Sequence, residues 1–521
     1  MQTWLRHAHV ARLLAIVGII SIALALLHLF GHPYQNYFSI LPHVDVGLVS
    51  QVYSNNSKSS ISYVNHDHNN SGEKFEIDEG NLYHVSTYER PSLVNTNKSS
   101  FLSSNSSLMA SNRPALRKRG AKAVSITMMN SMLQKNSAEM KSKRQRLSSQ
   151  RDQELIYAKF QIENAPIERS VSEAHSSLFR NYSIFKRSYE LMESTLKVYV
   201  YREGEKPNFH LPKLRGIYAS EGWFMKSMEK NKQFVVKNPK KAHLFYLPFS
   251  SLRLRIYLNG SSSISQKMEN HLKNYIDIIA TKYRFWNKSG GSDHFLVACH
   301  DWAPSVTRNI FGNCLRVLCN SNIARGFKIG KDVSFPVTYI SSANNPLKNL
   351  GGNPPSKRPI LAFFAGGMHG YVRPILLQYW QNKNSDMKIM GPMSRDDEGK
   401  EKYREYMKSS KYCICAKGYE VHTPRVVESI HFECVPVIIS DNYVPPFFEV
   451  LNWEEFALFI SEDDIPNLRD ILLSVPEDRY IMMQRRVRIV QRYFLWHKVP
   501  VKYDLFHMIL HSVWFNRVFH F

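Results

Sequence analysis

The chain is short of acidic residues. Its 521 residues carry 44 Asp and Glu against 68 Lys and Arg, for a formal charge of +24. Such an excess invites a nucleic-acid reading. The basic residues are scattered, however, and no zinc-finger spacing, RNA-recognition signature or basic zipper accompanies them. No nucleic-acid partner is expected. A basic surface also suits anionic nucleotides and acidic polysaccharides, and that use fits the rest of the chain. Cysteine is scarce as well: there are six, with no Cys-x-x-Cys pair, which removes the usual zinc-ribbon reading. Cys299, Cys314, Cys319, Cys413, Cys415 and Cys434 all lie in the second half of the chain. Connectivity is not readable from spacing. Cys314 and Cys319 are close enough in sequence for a local bridge. Cys413 and Cys415 would share one face of a strand, where direct pairing is awkward. Buried thiols are the alternative.

No acidic residue precedes the apolar run from Leu13 to Phe30, while Arg6 and Arg12 do. The run is about long enough to span a bilayer. The positive-inside rule then leaves residues 1–12 cytosolic and sends the rest across. A cleaved signal peptide is the rival, but the run is longer than a signal core and no small-x-small site closes it. Residues 31–176 read as a largely disordered lumenal stem, dense in Ser and Asn and without apolar periodicity. Asn-x-Ser sequons stand at Asn55, Asn69, Asn97, Asn105, Asn181, Asn259 and Asn287, plausible glycan sites on a lumenal chain. Ala121 to Asn164 is helix-prone and charged, which suggests a self-associating stalk.

Beyond residue 177 strands and helices alternate. Leu196–Tyr201, His243–Phe249 and His294–His300 read as strands. Tyr218–Met228 and Met268–Tyr283 read as helices. The linker at 344–358 carries Gly351, Gly352, Pro354 and Pro355. A second alternating block, 359–521, opens with ILAFFAGG and ends in helices, the last over Tyr503–Phe519 and amphipathic. Alternation of this kind predicts parallel sheets covered by helices, here in two α/β domains.

The most informative stretch is KYCICAKGYEVHTPRVVESIHFECVPVIISD, Lys411–Asp441. It reads strand, loop, helix, strand. Gly418 breaks the first strand, Thr423 offers a capping oxygen, and Pro424 suits the first helical position. Arg425 lies where a guanidinium could fork onto phosphate oxygens at a helix start. Glu428 follows three residues later, on the same helical face, suited to ribose hydroxyls. An ordinary i,i+3 salt pair is the bland alternative.

FFAGGMHGYVRPILLQYW, the stretch just quoted, YFLW and KYDLFHMILHSVWFN together resemble the exostosin family of glycosyltransferases (family 47) in its plant branch. YASEGWFMK, HLFYLPFS and DHFLVACHDWAP match the same family's amino-terminal half. The resemblance covers Leu196 to Phe521. It implies a GT-B fold, in which two Rossmann-like domains face each other, here 177–343 on the acceptor side and 359–521 on the donor side. It implies a single-pass type II Golgi membrane enzyme that inverts at the transferred sugar. The donor would be a nucleotide sugar, a UDP-sugar by expectation. The acceptor would be a cell-wall polysaccharide such as pectin or hemicellulose, or a glycoprotein glycan. Homo- or hetero-oligomers with other transferases are a further expectation. A non-catalytic Golgi subunit that keeps the fold and binds a partner transferase or polysaccharide is the alternative.

On matching positions the resemblance gives the donor to Arg425 and Glu428, with Thr423 and Tyr419 beside them. Gly366, Gly367 and Arg373 form a second phosphate wall, and Gly418 lets backbone approach the nucleotide. No Asp-x-Asp triplet occurs. No metal and no cofactor are therefore expected, and Arg and backbone N–H groups would neutralise the leaving group. Inversion needs a base, and Glu221 and Asp301 are the candidates. Trp223 and Trp302 could stack on sugar rings, although core packing suits either. The chain departs from the plant branch at Val337, Ala416, Lys417, His422 and Thr423, positions that border the donor site.

Overall fold

The computed structural model describes residues 123–142, 149–258 and 263–519. The apolar run at 13–30, most of the stem and the sequons Asn55, Asn69, Asn97, Asn105 and Asn259 lie outside them. Among the described residues no helix is long and apolar enough to cross a membrane.

The packed body starts earlier than the stem boundary expected at 176. Helices Ile126–Ser142 and Gln150–Glu163 precede it. Ser149 caps the second through its hydroxyl, which accepts from the Asp152 N–H. Leu155, Ala158 and Ile162 recur at helical spacing on one face of that helix, and all three are buried. They pack against helix Tyr182–Thr195 and the closing helix Leu505–Phe519. The helix-prone stalk therefore folds back onto its own chain.

The first sheet runs in the order β1 (Val198–Val200), β2 (Leu244–Tyr246), β3 (His294–Ala298), β4 (Leu315–Leu318), β5 (Val333–Ser334), all parallel. Val235 bridges Val198 on the free side of β1. The chain thus moves outward from β1 and then back to β2, reversing direction between those strands. Side chains alternate between two covered faces. Tyr246 and Phe295 meet Phe224 of helix Ala219–Lys230, while Phe245 and His294 face Phe285 and Trp286. β4 is a strand the sequence reading passed over.

The second sheet comprises β6 (Ile360–Ala365), β7 (Met387–Met390), β8 (Ser410–Ala416), β9 (Val435–Ile439) and β10 (Leu458–Phe459). Their spatial order is β7-β6-β8-β9-β10, again all parallel. Strand order reverses between β6 and β8. In open α/β sheets a ligand crevice forms at such a point, outside the carboxyl ends of the strands. Helix Asp397–Ser409, which carries the chain from β7 back to β8, was also missed. It is polar, with only Gly399 and Met407 buried, and Asp396 caps it by accepting from the Gly399 N–H at 2.7 Å.

The last helix is Leu505–Phe519, and it is not amphipathic. It is buried nearly all round, the signature of a helix enclosed by protein. Although it follows the second block in sequence, it packs against β4 and β5 of the first sheet and against helix Tyr182–Thr195. The chain's last segment thus closes the first domain.

Two disulfides are present, Cys299–Cys319 and Cys413–Cys434, and Cys314 and Cys415 are buried thiols. The local Cys314–Cys319 bridge does not form. These residues flank the two ends of β4, and extended chain of that length separates them by about 16 Å, beyond any disulfide. Cys299–Cys319 instead ties the carboxyl end of β3 to that of β4.

Candidate active site at the carboxyl ends of the two sheets

At the crevice of the second sheet the glycines have steric reasons. A Cβ on Gly366 would lie 2.2 Å from Arg425 Nη2. A Cβ on Gly418 would lie 3.2 Å from Arg373 Nη2, and one on Gly370 would lie 2.2 Å from the Gly418 carbonyl. Two guanidiniums fill the room so left. Arg425 donates from Nε (3.1 Å) and Nη2 (2.5 Å) to the Ala365 carbonyl at the end of β6. Arg373, from helix Val372–Trp380, donates to the Gly367 carbonyl at 2.9 Å and the Ala416 carbonyl at 3.3 Å. Both sit over Phe364, at 5.1 and 5.9 Å. Among the described residues neither has a carboxylate in ion-pair contact. Burial and the neighbouring charge of Arg425 pull the Arg373 pKa down to about 10. Two cations held together without an acid form an anion site in waiting.

The helix after β8 differs from its expected form. It runs Arg425–His431, and Pro424 is its N-cap, with no side-chain capping bond. Thr423 is buried, and its Oγ1 accepts from the Arg425 N–H at 3.5 Å and from Arg425 Nη1 at 3.4 Å, so it touches the first helical residue and buttresses its guanidinium. A helix of two turns contributes little dipole, so the positive charge at this strand end is that of the guanidiniums. The i,i+3 salt pair is absent. Glu428 Oε2 accepts from the Tyr403 hydroxyl at 2.8 Å, and helix Asp397–Ser409 delivers that tyrosine. Tyr419 is 64% exposed and packs on His369, ring centres 5.1 Å apart.

A polar cluster beside this crevice went unread. Lys417 Nζ meets Glu462 at 2.6 Å and the Tyr371 hydroxyl at 2.9 Å. Tyr371 also donates to Glu462, which accepts from the Asp441 N–H at 2.8 Å. Its members are spread over 92 positions (371–462), so no local spacing could signal it.

The first sheet presents different chemistry. Asp301 follows β3 and is partly exposed. Its Oδ1 accepts from the Tyr218 hydroxyl at 2.9 Å, and His422 Nε2, from the second domain, lies 3.3 Å from the same oxygen. Burial pushes the Asp301 pKa up, but the hydrogen bond and charge of His422, with His300 and Tyr218, outweigh it and hold the pKa down to about 2. Asn320, just past the disulfide at Cys319, donates from Nδ2 to both the Asp301 carbonyl and Glu420 Oε2, each at 3.0 Å. Arg325 meets the other Glu420 oxygen at 3.1 Å.

Glu221 has a different setting. It is 2% exposed, accepts from the Cys299 N–H at 3.0 Å and from the Ser251 hydroxyl, and burial raises its pKa. It is neither a surface nor a capping carboxylate. It braces the backbone beneath the Asp301 turn. Trp223 is a core residue against Trp496, and Trp302 is half-buried beneath Arg255. Of the two described sequons, Asn181 is exposed and caps helix Tyr182–Thr195, and Asn287 is exposed with its amide donating to the Ala280 carbonyl at 3.0 Å.

Two Rossmann-like parallel sheets, one ending in paired guanidiniums and the other in a carboxylate, define a two-domain α/β protein that fits the GT-B architecture. Residues 192–475 match the Exostosin GT47 domain. A probable glycosyltransferase of Arabidopsis thaliana is 45% identical over 347 residues, 66% of this chain and 66% of that protein. A second from the same plant is 40% identical over 350 residues, 66% of this chain and 72% of the relative. A probable glucuronosyltransferase of Oryza sativa subsp. japonica is 29% identical over 353 residues, 61% of this chain and 80% of the relative. The chain belongs to the exostosin GT47 family of glycosyltransferases. It spans just under two thirds of the first Arabidopsis protein's length.

Proposed function

We propose that the chain transfers a sugar, with inversion, from a UDP-sugar to a cell-wall polysaccharide such as pectin or hemicellulose, or to a glycoprotein glycan. The observation that carries this reading is the Arg373–Arg425 pair at the crevice between β6 and β8, without a carboxylate partner among the described residues. A departing nucleoside diphosphate is the anion such a pair suits. Gly366 and Gly418 make room for the guanidiniums that would hold the phosphates, Gly367 lies at the same strand end, and Tyr419 flanks the nucleotide. Glu428, fixed through Oε2 by Tyr403, keeps Oε1 for a ribose hydroxyl. No metal is needed in this scheme, because guanidiniums take the charge.

Asp301 is the proposed base, in preference to the enclosed Glu221. The acceptor oxygen bonds to the anomeric carbon as the bond from that carbon to the diphosphate oxygen breaks. The diphosphate leaves with the electron pair, its charge met by the two arginines, and the acceptor's proton passes to Asp301. The glucuronosyltransferase names of the rice relatives make UDP-glucuronate the first donor to try. The apolar run at 13–30 would anchor the chain in the Golgi membrane, with this site and glycans at the sequons in the lumen. Protease treatment of sealed microsomes should spare residues 411–521, and digestion there would refute that topology.

The deciding experiment incubates the purified chain with a panel of UDP-sugars and pectin, xylan and xyloglucan oligosaccharides, followed by product analysis. Transfer from one donor supports the reading. Binding of oligosaccharide with neither nucleotide binding nor transfer would identify a non-catalytic subunit instead.

A further inference from the structure

The loop between β8 and the following helix does more than approach the donor crevice. It crosses to the first domain at two points. Glu420 meets Asn320 and Arg325, and His422 meets Asp301. His422 is only 8% exposed, and its Nδ1 is buried with no hydrogen-bond partner. Nε2 is the ring nitrogen that meets Asp301, 3.3 Å from Oδ1, and a carboxylate oxygen can only accept. In this contact Nε2 is therefore the donor side and Asp301 Oδ1 the acceptor. That oxygen already accepts from Tyr218. Two donors on Oδ1 leave Oδ2 as the carboxylate oxygen with spare basicity.

We propose that His422 is a positioning residue for the transfer step: reaching from the donor domain, it orients Asp301 so that Oδ2 faces the acceptor hydroxyl. This rests on the assignment of Asp301 as base. In the step, the acceptor's proton moves to Oδ2, the acceptor oxygen bonds to the anomeric carbon, and the nucleoside diphosphate leaves with its electron pair. His422 stands three residues before Arg425 and one before Thr423. One short loop thus holds the leaving group's cation and sets the base, so that the base is aligned when the donor domain is in place. The titratable groups that act on the imidazole are His300 and Asp301 on the turn after β3 and Glu420 on the same loop; behind them Tyr218, at the start of helix Ala219–Lys230, bonds Asp301, and Arg325, after β4, pairs with Glu420.

The test compares the full chain with His422→Ala and His422→Gln. Four readouts are needed: UDP affinity by calorimetry, melting temperature, kcat against pH with the donor and acceptor found in the panel, and hydrogen exchange of residues 299–303 with UDP bound. His422→Ala should lower kcat about tenfold or more and leave UDP affinity within twofold. It should also move the acidic limb of kcat to higher pH, because Asp301 loses a partner that favours its charged form. Exchange at 299–303 should rise. His422→Gln, which keeps an N–H donor, should recover part of the rate. An unmoved acidic limb with unchanged exchange would overturn the proposal. So would a fall in UDP affinity matching the fall in rate, which would make His422 a donor ligand, or a Gln variant as poor as Ala with both melting lower, which would make it structural. If no donor supports turnover, the base assignment fails separately, and exchange at 299–303 alone decides whether His422 orders the turn.

Discussion

The carboxyl ends of the two sheets have nearly the same backbone plan and opposite electrostatics. The second ends in glycines and two guanidiniums that donate to carbonyls and to the Thr423 hydroxyl, with no carboxylate in ion-pair contact among the described residues. The first ends in Asp301 and His300, braced from below by Glu221 and laterally by Cys299–Cys319. In the proposed reaction the positive charge would meet the departing diphosphate and the carboxylate the acceptor hydroxyl. One architecture therefore supports two roles because the side chains at its strand ends differ, not because its strands do. The 418–424 loop, moored through Glu420 and His422, is where the two chemistries touch.

That contrast can be broken at several strengths. Val427→Asp should abolish folding outright, since the residue is 1% exposed in the core beneath β8 and β9 and an unpaired charge there has no partner. A melting curve with no cooperative transition is the expected result. Cys299→Ser with Cys319→Ser opens a link between positions 20 apart and should cost about 3 kcal/mol of stability. Calorimetric UDP affinity should hardly change in that variant, because the disulfide serves the other sheet.

Acid should weaken both halves together. Burial holds His431, beneath the second sheet, down to about 4 and His511, in the closing helix, down to about 3. Burial is also the largest cause holding His300, beside Asp301, down to about 4. Each folded-state pKa lies below the unfolded value near 6.5, so the unfolded chain binds more protons below that pH. The stability these groups contribute is complete above about pH 6.5 and lost as pH falls toward 4. Melting temperature should drop through that window, and His431→Gln should make the drop shallower by about one proton's worth. The smallest effect is expected from Glu428→Gln. It keeps the acceptor for Tyr403 and loses only charge, so UDP affinity should fall about tenfold, or 1.5 kcal/mol, without loss of fold.

Much of this was legible in the chain before any coordinate. The closing strand of the Lys411–Asp441 stretch and the strand read at His294–His300 are there, as Val435–Ile439 and His294–Ala298, with every residue buried. Glycines next to strand ends marked the crevice. What escaped had physical reasons. β4 is four residues long and carries Arg316 in its middle, neutralised by Asp332 sixteen positions away. Helix Asp397–Ser409 is dominated by charged residues, and its apolar face is only Tyr403, Tyr406 and Met407, a stripe too short to announce it. The closing helix was assigned to the wrong domain because chain order does not reveal that it crosses back. The Asp301–His422 contact joins positions 121 apart in different domains, which no local spacing encodes.

The division of labour is tested most directly by titrating UDP, in the presence of a chelator, into four proteins: the parent chain, Arg425→Ala, Arg425→Lys and Asp301→Asn. The parent should bind. Arg425→Ala should lose about 3 kcal/mol, more than a hundredfold in affinity, and Arg425→Lys should recover little, since a point charge cannot replace the planar fork. Asp301→Asn should bind UDP as the parent does while losing transfer. Contradiction would come from UDP binding that requires added manganese, or from an Arg425→Ala protein that stays folded and binds UDP like the parent.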